Sequence, residues 1–258
     1  MKYLIERQLK WAERHEVSYE ELRHIERKLL EVDPHHVPKY ARYYVSAFER
    51  PDVLVVSNKK PTQLKLFKWG LMSNKMKNYE EAVKSVTKYR TANARGEEMF
   101  EKRLYREAAA NRRCIVLIDG FFEYHHHNNK AYPFHIYPRD EESMLLGGIY
   151  EEYLNRETGE VIPSVSVITT KASPKMTVLH NNPKLPEPRM PLILDDENLD
   201  KWLYDTEEAK KLVKPYPDGK LNFKSVPQLT GKNGVGDTER AVEEVIYPEL
   251  EETYKKIA

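Results

Sequence analysis

The chain has 258 residues, 40% of them hydrophobic and 32% charged, and its 42 Lys and Arg against 41 Asp and Glu give a net charge of +1. This composition predicts one large domain or two small ones, and it excludes collagen, a disordered tail and a coiled coil. No apolar run approaches the roughly 18 residues of a membrane span, and charges come too early for a signal peptide. A single cysteine, Cys114, leaves no internal disulfide, so we expect a cytoplasmic protein.

The charges are unevenly distributed. Residues 58–113 carry nine Lys and six Arg against six Glu, a net charge of +9, and the rest of the chain is acidic. The near-neutral total is not typical of a non-specific nucleic-acid-binding protein. The basic stretch alone fits either a surface that faces phosphates or ordinary solvated helix and strand edges.

Two helices are predicted at the start of the chain. Residues 3–15 place apolar side chains at helical spacing, and a second helix begins at Ser18, which forms a capping-box pattern with Glu21. Pro34 and Pro38 end this helical unit.

Short β-like segments dominate the chain after residue 40. Their patterns predict strands at 43–48, 52–56, 63–71, 114–118, 121–124, 133–137, 144–149, 164–170 and 221–227. Helical patterns occupy residues 78–88, 97–110, 173–179, 196–213 and the segment from about 238. This mixture predicts an α+β fold: a single compact domain over 1–258, with a bent sheet or barrel core and peripheral helices. Its expected parts are the N-terminal helices (1–33), a β-rich core (40–230) and a C-terminal tail with a helix (231–258).

Glu123 is the first candidate for chemistry. It follows the apolar run 114–118 and lies among Phe121, Phe122 and Tyr124. Aromatic surroundings desolvate a carboxylate and raise its pKa, which suits general acid–base catalysis. Spacing alone equally fits an exposed glutamate on a strand.

Two further segments carry candidate polar groups. Asn93, Arg95 and Glu97 alternate along a predicted strand, so an amide and a guanidinium could face a phosphate or a carbonyl together. His180 ends a short predicted helix before a proline-rich loop and Arg189, an arrangement typical of functional loops, although a single histidine is more often structural.

A metal site is not predicted. His125, His126 and His127 are adjacent on a strand, so they alternate between faces, and no acidic or Cys partner stands at zinc-ligand spacing. We expect this run in an exposed hairpin, and we expect Cys114 to be an inert core residue because apolar surroundings raise a thiol pKa. No phosphate loop, dinucleotide fingerprint or nucleophile elbow occurs, and no cofactor is expected.

Several short segments between about residues 40 and 230 form a specific combination: Trp69-Gly70-Leu71, Asn93-Ala94-Arg95-Gly96-Glu97, Arg112-Arg113-Cys114, Asp119-Gly120-Phe121-Phe122-Glu123-Tyr124, Pro133-Phe134, Gly148-Ile149-Tyr150, Ile168-Thr169-Thr170, Leu179-His180 and Arg189-Met190-Pro191-Leu192-Ile193-Leu194. In their order along the chain, these segments together resemble the SOS-response-associated peptidase family, also called the SRAP domain.

The resemblance implies a sensor of abasic sites in single-stranded DNA, associated with the nucleoid during DNA damage. In that family, the α-amine and thiol of an N-terminal Cys condense with the abasic-site aldehyde to form a thiazolidine. The resemblance places Glu123 as the acid–base residue, His180 in proton transfer and Asn93 in orienting the N-terminal group. The DNA-binding set that it implies is Arg95 and Arg189 on phosphates, Trp69 as core or stacking residue, and Lys68, Arg112 and Arg113 from the basic stretch.

The chain departs from the family pattern in three places. Residue 2 is Lys rather than Cys, so thiazolidine formation requires a residue that this chain lacks. We interpret this as a chain that starts late, or as replacement of the opening segment. In addition, Met72 and its successors replace the usual Ile-Pro-aromatic sequence, and residues 181–188 lengthen the loop before Arg189.

Three functions therefore remain open from the sequence. The first is the abasic-site sensor, expected as a monomer with single-stranded DNA as partner. The second is a non-covalent single-stranded-DNA binding module, with strongly salt-dependent binding and no covalent product. The third is an autoprocessing thiol- or amine-dependent peptidase, against which the N-terminal Lys2 and the core position of Cys114 both argue.

Overall fold

A computed structural model describes residues 42–139 and 143–258. The two helices expected at 3–15 and 18–30 lie outside these ranges. The described part contains ten strands: β1 (Asp52–Ser57), β2 (Lys60–Trp69), β3 (Asn93–Arg95), β4 (Arg113–Ile118), β5 (Phe121–His127), β6 (Lys130–Pro138), β7 (Met144–Leu154), β8 (Val161–Lys171), β9 (Arg189–Pro191) and β10 (Leu221–Ser225). No described helix combines the length and apolar character needed to cross a bilayer.

Five strands close into a barrel-like sheet. Their order is β2-β1-β4-β7-β8, and β8 pairs back onto β2 in parallel at Lys68 and Trp69. On one side of β8, β2 pairs first and β3 pairs further along the strand. On the other side, β7 pairs first and β9 pairs further along. The short strands that carry Asn93, Arg95 and Arg189 therefore lie on opposite sides of the end of β8.

The central strand β4 is buried on both faces, as its continuous apolar run predicts. Cys114 and Val116 pack into one core cluster, and Ile115 packs into another. The neighbouring strand β7 places Gly148 opposite Cys114, where a Cβ would come within 2.9 Å of the Cys114 Sγ. A glycine at this position thus permits the close approach of the two strands.

A second sheet of three strands lies beside the barrel, in the order β10-β6-β5. Within the described residues β5 forms one edge of this sheet, and it carries Glu123 opposite Phe134 of β6. The fully buried Phe134 belongs to the main core cluster, so the face of β5 that bears Glu123 is directed towards the barrel.

The helices are short and peripheral: α1 (Tyr79–Tyr89), α2 (Arg106–Asn111), α3 (Pro174–Leu179), α4 (Leu199–Tyr204), α5 (Thr206–Leu212) and α6 (Glu251–Ile257). Asn78 caps α1 by accepting the Glu81 N–H at 2.9 Å. Ser173 caps α3, with Pro174 at its first position, and α3 packs against α6. The architecture confirms the predicted α+β class with a barrel-like core and several helices.

Three predicted elements differ from the structure. Residues 43–48 form no strand, because Asp237 accepts the Tyr43 and Tyr44 N–H groups that a neighbouring strand would otherwise bind. Most of 97–110 consists of successive turns, and only α2 is helical there. The helix predicted over 196–213 is split at Asp205, whose carboxylate caps α5.

The predicted C-terminal elements are shorter than expected. The strand predicted over 221–227 ends at Ser225, and the helix predicted from about 238 begins only at Glu251. Short 3-10 turns at Glu239–Val242 and Pro248–Leu250 precede it. Pro248 cannot donate a backbone hydrogen bond, so it interrupts any helix that would extend back from α6.

Candidate functional site

An open cleft runs across both sheets. We call it the site cleft and define it by the strand ends and loops that line it. It contains six predicted site residues together with Lys68: Trp69, Asn93, Arg95, Glu123, His180 and Arg189. Residues more than 90 positions apart in the sequence thus share one concave surface, which is the expected form of a small-molecule or nucleotide site.

Glu123 lies in the site cleft with its side chain 24% exposed. Burial raises the pKa of its carboxyl to about 7, although the charge of His180 and the Tyr124 N–H both favour the carboxylate. A group with that pKa is present in both protonation states near neutral pH. Glu123 can therefore donate a proton in one step and accept one in another, as general acid–base catalysis requires.

His180 ends α3 and faces Glu123. Its Nδ1 lies 3.6 Å from the Glu123 Oε1, and the backbone carbonyl oxygen of Arg189 lies closer, at 2.7 Å. The Arg189 N–H is also near the same Nδ1, at 3.3 Å. The shorter contact favours a proton on Nδ1 that is donated to the carbonyl, which leaves the Nε2 lone pair of a neutral ring available to accept a proton.

A hydrogen bond connects Trp69 to the segment that carries Asn93. The indole N–H of Trp69 donates to the carbonyl oxygen of Ala92 at 2.9 Å, directly before Asn93 in the chain. Asn93 is exposed at the start of β3. Trp69 packs against the main core while it lines the site cleft, so it is a core residue with one surface available to a ligand.

Arg95 and Arg189 meet at the rim of the site cleft, and both are paired with carboxylates. The Glu187 Oε1 lies 3.0 Å from the Arg95 Nη1 and 2.9 Å from the Arg189 Nη1, so it bridges the two guanidiniums. The Glu97 Oε2 lies 2.6 Å from the Arg189 Nη2. A phosphate at this place has to compete with these carboxylates for the arginines.

The remaining basic candidates occupy different places. Lys68 lines the site cleft and pairs with Asp52 at 2.9 Å. Arg112 does not line it; its guanidinium pairs with Glu151 at 2.6 Å and with Glu107 at 3.2 Å.

Arg113 requires a correction. It is 2% exposed, and its guanidinium donates to the carbonyl oxygens of Trp202 and Ala109. A side chain enclosed in this way has no surface for DNA, so Arg113 is a structural residue and the prediction that it contacts DNA is wrong. The partners that occupy Arg112 likewise argue against a DNA contact for that side chain.

The histidine run is partly different from the prediction. His125 is buried, not exposed: its Nδ1 lies 2.9 Å from the Val178 carbonyl oxygen and its Nε2 lies 3.0 Å from the Thr253 Oγ1. Within the described ranges, no three His, Cys, Asp or Glu side chains are arranged to hold a metal ion. Cys114 is fully buried in the core, as predicted, and burial raises its pKa.

The residues of the separate sequence motifs thus meet in one cleft. Comparison with known proteins shows the family to which the chain belongs. The family described as "SOS response associated peptidase (SRAP)" matches residues 13–233. The chain belongs to the SRAP family. The match extends from the segment before the described residues to the loop that follows β10, so it includes every candidate site residue.

Curated relatives of this SRAP protein carry one kind of name. It is 30% identical over 216 residues to "Abasic site processing protein YMR114C" of Saccharomyces cerevisiae, covering 80% of this chain and 51% of that protein. It is 28% identical over 180 residues to "Abasic site processing protein YoqW" of Bacillus subtilis, covering 68% of this chain and 74% of that protein. The chain spans about half the length of the first curated relatives that it matches.

Solved structures show the same fold. A protein from Bacteroides thetaiotaomicron superposes with a TM-score of 0.68 at 29% identity, covering 78% of this chain and 84% of that one. A protein from Bordetella bronchiseptica gives a TM-score of 0.61 at 25% identity, covering 69% and 84%.

Sequence reasoning missed several residues of the site cleft. Arg42, Arg50 and Arg90 line it, and none of them was a candidate. Of the basic stretch 58–113, Lys68, Arg90 and Arg95 are the basic residues that line the site cleft. Arg50 and Arg90 both have φ near +51°, an unusual backbone conformation for a residue with a Cβ. Each follows a short helical element as its C-cap, and no motif in the sequence marks that position.

Proposed function

We propose that this SRAP protein acts on abasic sites in single-stranded DNA, with the lesion in the site cleft beside Glu123 and His180. The observation that carries the proposal is Glu123: a carboxyl with a pKa of about 7, beside an imidazole, in an open cleft whose rim bears arginines. The names of the curated relatives, which span abasic site processing proteins of yeast and bacteria, supply the substrate class.

The reaction that fits these groups begins at the sugar. The ring-closed abasic sugar must lose the proton of its hemiacetal hydroxyl and gain one on the ring oxygen before an aldehyde is exposed. The Nε2 of neutral His180 can accept the first proton, and protonated Glu123 can donate the second. This exchange needs one acid and one base beside the sugar, and Glu123 and His180 lie 3.6 Å apart in the site cleft.

An amine then condenses with the aldehyde. The amine nitrogen adds to the carbonyl carbon, and water leaves from the carbinolamine when a carboxylic acid protonates its hydroxyl, which gives an imine. A neighbouring thiol would add its sulfur to the imine carbon and its proton to the nitrogen, closing a thiazolidine. In the family this amine and thiol belong to an N-terminal Cys; residue 2 of this sequence is Lys. We propose Asn93, exposed at the start of β3, as the residue that orients the amine.

The arginines at the rim are proposed to hold the phosphates beside the lesion. Arg95 and Arg189 supply the paired guanidiniums that bind phosphate in two-point contacts, and Lys68 supplies a further charge. Glu187 must give way when DNA binds, because it already bridges both arginines.

A peptidase function receives no support from the site. The chain's single thiol, Cys114, is fully buried, and burial raises its pKa, so it is not an available nucleophile. A non-covalent DNA-binding module remains the second candidate, because residue 2 of this sequence is Lys and its single Cys is the buried Cys114. The two candidates differ in one observable, a covalent product.

The experiment mixes the protein with single-stranded DNA that carries one abasic site, and it resolves the products on a denaturing gel. The chain with Lys2 is compared with the variant Lys2→Cys from which Met1 has been removed, so that the new cysteine carries the free α-amine. Each is tested with and without borohydride, which reduces an imine to a stable amine. A heat-stable band in Lys2→Cys, lost in Lys2→Cys with Glu123→Gln, supports the reactive site. No band in any sample, with DNA binding retained, supports the non-covalent module and contradicts the proposed chemistry.

A further inference from the structure

The side chain of Asn181 forms two hydrogen bonds with one peptide unit of a strand. The His126 N–H donates to the Asn181 Oδ1 at 2.6 Å, and the Asn181 Nδ2 donates to the His126 carbonyl oxygen at 2.9 Å. Only one orientation of the amide satisfies both contacts, so the assignment of its oxygen and nitrogen follows from the geometry. The amide therefore pairs with β5 in the way a neighbouring strand would.

The two hydrogen bonds of Asn181 lie at the edge of a sheet. β5 is an edge of the three-stranded sheet among the described residues, so the outward N–H and C=O of His126 have no strand partner there. Asn181 satisfies both of these partly buried groups, which would otherwise lack a hydrogen-bond partner among the described residues. A second link lies beside it, where His125 contacts the Val178 carbonyl oxygen.

The two ends of this connection each carry a site residue. His180 directly precedes Asn181 in the chain, and Glu123 is on β5, three residues before His126. The Glu123–His180 distance of 3.6 Å joins a strand to the end of a helix, and no covalent neighbour sets it. Asn181 directly follows His180 in the chain, and its side chain bonds this end of α3 to β5.

We propose that Asn181 is a positioning residue, which holds the end of α3 against β5 and so sets the distance between His180 and Glu123. The inference rests on the proposed function for its kinetic consequence, and on geometry alone for its structural one. Asn181 lies outside the set of groups that touch the reacting atoms, because both its hydrogen-bonding groups are engaged with His126.

The chain supplies a matched control one residue away. Asn182 has the same side chain, but its Oδ1 accepts the N–H of Lys184 within the loop, at 3.0 Å. Asn182→Ala removes a local turn contact, whereas Asn181→Ala removes the connection between the two elements. Both variants are made in the Lys2→Cys chain and checked for thermal unfolding before any comparison.

The first measurement separates rate from binding. In Asn181→Ala we expect the cross-linking rate at saturating abasic DNA to fall about tenfold or more, because small misplacements of catalytic groups cost that much. The dissociation constant for the same DNA should stay within about twofold, since the arginines of the rim are unaffected, and Asn182→Ala should match the parent in both. An equal rate in Asn181→Ala and the parent overturns the proposal.

The second measurement does not depend on the reaction. The carboxyl carbon of Glu123 is titrated by NMR in the parent, Asn181→Ala and Asn182→Ala, and exchange of the His126 amide is followed in parallel. We expect His126 exchange to rise and the Glu123 midpoint to move about half a pH unit or more towards 4.5 only in Asn181→Ala, as water reaches the carboxyl. An unchanged midpoint with faster exchange restricts Asn181 to a structural role and overturns the proposal.

The two arms also separate the possible failures. If the parent forms no covalent product, the proposed function fails, and the titration and exchange still decide the role of Asn181. Asn181→Asp serves where Asn181→Ala unfolds: it can still accept the His126 N–H, while its second oxygen faces the His126 carbonyl, so we expect an intermediate rate.

Discussion

Glu123 and Glu151 are both carboxylates whose pKa is raised by burial, and they have opposite surroundings. The Glu151 side chain is 14% exposed and pairs with the guanidinium of Arg112 at 2.6 Å. Glu123 lines the site cleft, and its ion-pair partner among the described residues is His180. Burial alone thus does not distinguish a catalytic carboxyl from a structural one. The guanidinium of Arg112 favours the charged form of Glu151 and holds it in place. The described partner of Glu123 is an imidazole, and its raised pKa lets Glu123 change its protonation state near neutral pH.

Replacing Glu123 should have the largest effect on the reaction. Glu123→Gln keeps the shape and removes the proton transfer, so in Lys2→Cys we expect cross-linking to slow by about 100-fold or more, with DNA affinity within twofold. Glu151→Gln should react at the rate of the parent. Single-turnover assays on denaturing gels measure both. Equal slowing in the two variants would contradict the claim that Glu123 is catalytic and Glu151 is structural.

For the free energy of unfolding at pH 7, the larger loss is expected in Glu151→Gln rather than in Glu123→Gln. Glu151→Gln leaves the largely buried Arg112 with a weaker set of partners, so we expect a loss of about 1–3 kcal/mol in the free energy of unfolding. Urea unfolding at pH 7 measures this loss. Adding Arg112→Met to Glu151→Gln removes the cation as well, so the double variant should be less destabilised than Glu151→Gln alone. A Glu151→Gln variant as stable as the parent would contradict the structural role of that ion pair.

The pH dependence of stability should identify Glu123 independently of any DNA. Its folded-state pKa of about 7 lies above the ordinary 4.5, so the folded state binds more protons than the unfolded state between these values. Its contribution to stability is complete below pH 4.5 and is lost as pH rises through 7. Glu123→Gln should therefore gain stability relative to the parent as pH rises, by at most about 3 kcal/mol. Parallel stability curves from pH 4.5 to 8 would show that the pKa is ordinary.

The smallest expected effect concerns the rim of the site cleft. Glu187→Gln removes the carboxylate that bridges Arg95 and Arg189, so we expect single-stranded DNA to bind about two- to fivefold more tightly at low salt. Glu207→Gln is the control, since Glu207 pairs with Lys210 at 2.7 Å on α5 and does not line the cleft. Fluorescence anisotropy with unmodified oligonucleotide measures both. Weaker binding by Glu187→Gln would mean that this carboxylate positions the arginines for DNA.

The chain's local patterns predicted much of the fold. The apolar run at 114–118 and the strand near 121 are in place, because a strand buried on both faces and a following turn are local signals. The strand predicted at 43–48 failed because a distant carboxylate, Asp237, accepts its backbone N–H groups. Closure of the barrel depends on the pairing of β2 with β8, which joins residues almost 100 positions apart and leaves no local pattern.

The site was predicted in the same uneven way. Glu123 was singled out by its aromatic neighbours, and its raised pKa has the cause that they suggested. Arg113 was misplaced because charge composition does not show which arginine has carbonyl partners in the interior. Asn181 and Glu187 were not predicted at all, since Asn181 bonds to His126 on β5 and Glu187 pairs with Arg95 on β3, and both partners are distant in the sequence.

Direct titration of Glu123 tests the central claim. The protein is labelled at glutamate carboxyl carbons, Glu123 is assigned with Glu123→Gln, and each resonance is followed from pH 3 to 9. The account predicts a midpoint near 7 for Glu123, well above the ordinary 4.5, with the shift arising from burial beside His180. A midpoint near 4.5 would mean that Glu123 is fully charged at neutral pH, and it would contradict the proposed acid–base role.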